Sequence, residues 1–89
     1  MPKVVFTRNI QRHVQCPETI VSGDTLRAVL DNVFADNPAA RGYFLDDQNA
    51  LRKHVTIFVD NVMVRDRTGL NDPVGENSAV FVFQALSGG

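Results

Sequence analysis

Apolar residues recur at two different spacings along the chain, and each change of spacing marks an element. Val4, Val5 and Phe6 form a β-branched and aromatic run, which predicts a first strand over residues 3–8. Residues 9–12 are polar and suit a turn. A second strand is predicted over residues 14–21; Pro17 inside it places that part on a sheet edge or at a bulge. Leu26, Val29, Leu30, Val33 and Phe34 then fall at i, i+3, i+4, i+7 and i+8, one apolar stripe at helical period. Asp24 or Thr25 is placed to cap this helix by accepting from an orphan N–H. Asn37-Pro38 ends it, because the residue before a proline avoids helical angles. Residues 39–45 predict a further helical turn or two, with Tyr43, Phe44 and Leu45 plugging the bottom of the core.

The spacing returns to two in Val55, Ile57 and Val59, a third strand over residues 55–59. Asp60-Asn61 follows, a two-residue turn whose members both tolerate positive φ. Residues 62–64 pair back as a short fourth strand. Residues 65–78 are polar and turn-rich, with Leu70 and Val74 as anchors into the core. Residues 79–83 form the last strand. The order is hairpin, helix, hairpin, connecting loop, strand. It predicts an α+β fold: a mixed sheet of four to five strands, one main helix across one face, and the last strand beside the first.

Composition narrows the class. Eighty-nine residues make one domain. Apolar content of 44% and charged content of 21% argue against wholesale disorder. A formal net charge of −1 leaves no basic footprint for nucleic acid. No apolar run is long enough to span a bilayer and no secretory signal opens the chain, so the expected location is the cytoplasm. Cys16 is the single cysteine, which excludes an internal disulfide and leaves a small packed hydrophobe as its expected role. His13 and His54 lack carboxylate or cysteine neighbours at ligand spacing, so no metal site is expected and both read as structural or solvated. Asp46-Asp47 implies no acceptor geometry for paired acids. Arg65 and Arg67 read as solvated loop charges, with polar rim contacts near the tail as the alternative.

The candidate chemistry lies at the end of the chain, in Leu86-Ser87-Gly88-Gly89. The division expected is a folded domain over residues 1–86 and a flexible Ser87-Gly88-Gly89 tail. Glycines without Cβ enter a slot too narrow for other residues and keep their N–H and carbonyl groups free for an enclosing partner. With the last strand ending near Phe83, residues 84–89 span roughly 20 Å when extended, at ~3.3–3.6 Å per residue. The plain alternative is a terminus that frays, as termini commonly do.

Several stretches together resemble ubiquitin-like β-grasp proteins, and among these the MoaD/ThiS family of sulfur carriers. They are Ser22-Gly23-Asp24-Thr25-Leu26 opening the helix, Val59-Asp60-Asn61 at the second hairpin, residues 65–70 in the loop, Val80-Phe81-Val82-Phe83, and Gly88-Gly89 at the end. The longer segment between helix and third strand, and residues 51–64, look more like the carriers used in cysteine synthesis than the short thiazole-pathway ones. The resemblance implies that an activating enzyme of the ubiquitin type, using its own ATP and magnesium, adenylates the Gly89 carboxylate. A sulfur donor then converts the adenylate to a thiocarboxylate, which a downstream sulfur-accepting synthase uses. The carrier itself would be a co-substrate without catalytic side chains or a stably bound cofactor, monomeric when free. The alternatives are a ubiquitin-like modifier joined to target lysines through Gly89, and a plain interaction domain. With only Lys3 and Lys53 available for chain building, the carrier is the better match.

A carrier also needs a face that partners recognise. Strand alternation puts Phe81 and Phe83 on one face of the last strand, and Thr56 and Phe58 on one face of the third. If Val55, Ile57, Val59, Val80 and Val82 face the helix, Phe58, Phe81 and Phe83 form an uncovered docking patch. A one-residue slip in register would exchange the two faces.

Overall fold

The computed structural model describes residues 1–84. Its elements in order are β1 (Lys3–Phe6), α1 (Arg8–Gln11), β2 (Thr19–Ile20), α2 (Leu26–Ala35), α3 (Pro38–Phe44), β3 (Val55–Val59), β4 (Val62–Met63) and β5 (Ala79–Gln84). The strands form one mixed sheet in the order β2-β1-β5-β3-β4. β1 and β5 run parallel at its centre, and every other pair is antiparallel. This is the ubiquitin-like β-grasp arrangement.

α2 forms where the 3.6 period predicts it. Leu26, Val29, Leu30, Val33 and Phe34 are buried, in one cluster with Val4, Phe6, Ile57, Val80 and Val82 of the sheet. The Thr25 side chain caps the helix by accepting from Ala28 N–H at 3.2 Å. Leu26 and Arg27 N–H groups donate to the carbonyls of Asp72 and Leu70, so the long loop before β5 satisfies the start of the helix. Gly23 makes the approach possible. Its φ is +146°, and a Cβ there would meet Val29 N and Cγ2 at 2.8 Å. Leu70 is fully buried and anchors the loop from the other side.

The N-terminal region differs from the sequence expectation. Residues 9–12 lie not in a turn but largely in α1, because Ile10 is fully buried and Ile10 and Gln11 N–H both donate to Thr7 C=O. The second strand shrinks from residues 14–21 to Thr19–Ile20. Gln11 explains this: its side-chain amide donates to the Cys16 carbonyl and accepts from Cys16 N–H at 3.1 Å. With Cys16 engaged and Pro17 lacking an N–H, the segment has little left for a ladder. The expected turn or two after Asn37 is the seven-residue α3, with Pro38 in its first turn. Phe44 and Leu45 are buried beneath the sheet; Tyr43 stays half-buried at the edge.

Candidate functional site

Two regions carry the candidate residues: the open face of the sheet and the end of β5. Gly89 and its neighbours Ser87 and Gly88 lie outside the described residues.

The face of the sheet away from α2 holds Phe58, Phe81 and Phe83. Val55, Ile57, Val59, Val80 and Val82 all point the other way and are at most 8% exposed. Phe58 and Phe81 are half-buried, and Phe83 is 37% exposed. The rings pack on one another: Phe58 and Phe83 meet edge to face at 5.5 Å between centroids, Phe81 and Phe83 at 6.3 Å. Together with Asn61 they line an open depression of about 340 Å³. Asn61 supplies a polar rim from the β3–β4 turn, where Asp60 and Asn61 take φ of 50° and 70°.

Pairing extends this face beyond the three rings. Met63 lies opposite Phe58, Phe58 opposite Phe81, and Phe81 opposite Val5, one row across four strands. Met63 is 56% exposed. Met63 and Val5 were missing from the sequence-based patch, although a two-residue turn at Asp60-Asn61 already implies the Phe58–Met63 pairing. The turn is locked from β5. The Asp60 carboxylate accepts from Ser78 Oγ at 2.5 Å and Ala79 N–H at 2.9 Å, and these bonds hold it below the usual carboxylate range.

The end of β5 carries the second region. The ladder continues one residue past the expected end, with Gln84 opposite Val55. The Tyr43 hydroxyl donates to Gln84 Oε1 at 2.9 Å. His13 and His54, far apart in sequence, both contact the Tyr43 ring, at 6.0 and 5.1 Å between centroids. Arg67 corrects an expectation. It is not a solvated loop charge, since its Nη2 donates to the carbonyls of Arg52 and Val55, each at 2.7 Å. That brace ties the start of β3 to the loop that carries Arg67. Arg65 stays exposed.

The remaining candidates serve the scaffold. Cys16 is buried, and burial pushes its thiol up, away from a reactive thiolate. The Asp46 carboxylate accepts from Ala50 and Gln48 N–H groups, which hold it below its ordinary value; Asp47 is exposed and makes no acid pair with it.

Comparison with known proteins places this scaffold. The model of the ThiS family matches residues 6–89, nearly the whole chain and through both closing glycines. The chain belongs to the ThiS family. No curated protein matches the sequence. Among solved structures, a chain of the Amycolatopsis orientalis BexX/CysO complex superposes with a TM-score of 0.81 at 19% identity, covering 100% of both chains. Mycobacterium tuberculosis CysO gives 0.80 at 24% identity, over 97% of this chain and 100% of that one. The small archaeal modifier protein SAMP1 from Methanosarcina acetivorans gives 0.78 at 20% identity, over 99% and 95%. At these identities the likeness is one of fold. Among the described residues, no helix is long and apolar enough to cross a membrane.

Proposed function

We propose that the protein is a sulfur carrier whose reacting atom is the carbonyl carbon of Gly89. The observation that carries this reading is the family match, which runs along the chain through Gly88 and Gly89. The chemistry is coherent with a carboxylate at that position. A terminal carboxylate has a reference pKa near 3.5, so it is ionised at neutral pH and a poor electrophile. A partner activating enzyme, holding ATP and magnesium, would let a Gly89 carboxylate oxygen attack the α-phosphorus and expel pyrophosphate. Sulfide from a donor would then displace AMP from the acyl carbon and leave a thiocarboxylate. That sulfur passes to an acceptor on a second enzyme. The carrier contributes position alone: Ser87, Gly88 and Gly89 enter the slot, while Phe58, Phe81 and Phe83, with Met63 and Val5 beside them, form the grip.

The test is the intact mass of the protein isolated from its native cell. A gain matching replacement of one oxygen by sulfur, lost on deletion of Gly89, supports the carrier. Conjugates of higher mass that vanish with the same deletion point to a modifier attached to target lysines. Full function without Gly89 would leave an interaction domain and defeat both.

A further inference from the structure

Gln84 is the last described residue of β5 and faces Val55, the first residue of β3. The sheet holds its backbone. Its side chain is held by a different layer, through the hydrogen bond from Tyr43 on α3. The tyrosine ring is itself held from three sides. Phe44 meets it edge-on at 5.0 Å, His54 edge-on at 5.1 Å, and His13 stacks at 6.0 Å. His13 follows α1 and His54 precedes β3, so separate parts of the fold converge on one ring. A phenylalanine would serve that packing equally well. The hydroxyl is the part of Tyr43 that reaches Gln84, five residues before Gly89.

We propose that Tyr43 is a positioning residue for the chain end, acting through Gln84. The inference rests on the reading of Gly89 as the reacting group. The Tyr43–Gln84 bond fixes Gln84, the last described residue before the chain end, relative to the docking face. A chain end that enters a slot loses its freedom there, and each further loosened residue adds two soft dihedrals to be ordered on binding. Fraying at Gln84 would also release Phe83, its neighbour and a member of the open face. One hydrogen bond therefore couples grip to tail. Its contribution falls on association and not on bond-making, so KM responds and kcat does not.

The experiment is ATP–pyrophosphate exchange by the activating enzyme of the source cell, with the carrier as varied substrate. Tyr43→Phe keeps the ring and deletes the bond; it raises KM by about three- to tenfold, the usual worth of one such bond, with kcat within about twofold. Gln84→Ala does the same, and the double variant is no worse than either single one, since both remove one interaction. In the free chain, backbone NMR relaxation shows Gln84 and Phe83 less ordered in Tyr43→Phe while α3 is unchanged. Wild-type exchange with an unaltered KM in Tyr43→Phe, or additive effects in the double variant, overturns the clamp alone. A wild-type chain that supports no exchange overturns the Gly89 reading and the clamp with it.

Discussion

The two faces of the sheet are built from alternate residues of the same strands, and both are largely apolar. Val55, Ile57 and Val59 face one way on β3; Thr56 and Phe58 face the other. Val80 and Val82 face one way on β5; Phe81 and Phe83 the other. Toward α2 the apolar side chains are sealed from water, and on the open side Phe58, Phe81 and Phe83 are half-buried or exposed and pack on one another. An apolar residue therefore stabilises the fold or stays available to a partner according to the layer above it. On the proposed function, the open apolar face is the one that a partner covers.

Mutations at matched positions test this contrast, beginning with the covered face. Ile57→Ala removes a side chain that is 1% exposed, and unfolding in urea should show a loss of about 2–5 kcal/mol. Arg67→Ala cuts the brace between the start of β3 and the loop, for about 1–3 kcal/mol, from charge-assisted bonds to two carbonyls. Arg67→Lys recovers little of this, since an ammonium lacks the planar fork. Phe83→Ala on the open face costs about 1 kcal/mol, from its ring contacts and partial burial. On the proposed function, the same variant raises the KM of an activating enzyme for this chain far more than Ile57→Val, which leaves the open face alone. If Phe83→Ala destabilised the fold as much as Ile57→Ala, the two faces would not differ in role.

The smallest effect concerns pH. Asp60 is held low by the Ser78 hydroxyl and Ala79 N–H, Asp66 by Gly69 and Asn71 N–H groups, and Asp46 by Ala50 and Gln48. Each folded-state pKa lies below its unfolded value, so in that window the unfolded chain binds more protons. Their stabilisation is present above the ordinary carboxylate pKa and is lost as pH falls through the lowered values. All three stand in turns and loops, outside both faces. Acid should therefore loosen the connections first, and Asp60→Asn should flatten the fall of Tm at low pH without altering Phe83→Ala or Ile57→Ala effects at neutral pH.

Local pattern accounts for α2, β3, β5 and the Asp60-Asn61 turn, because each needs only a periodicity of 3.6 or 2 and a residue suited to its angle. The rings of the open face were legible for the same reason: alternation separates Phe81 and Phe83 from Val80 and Val82 before any contact is known. Which set the helix would cover depends on register, a property of strand pairs, and pairing then added Met63 and Val5. α1 appeared through the burial of Ile10, and β2 shortened because the Gln11 side chain took the backbone groups of Cys16. Arg67 resembles any loop cation until the carbonyls of Arg52 and Val55 come within reach. His13, Tyr43 and His54 show no relation along the chain, and only the convergence of α1, α3 and β3 makes them one cluster beside Gln84. What is written locally in this protein is which way each side chain points; what it points at was decided by contacts between residues distant in sequence, where loop closure and packing act and no short-range pattern records the result.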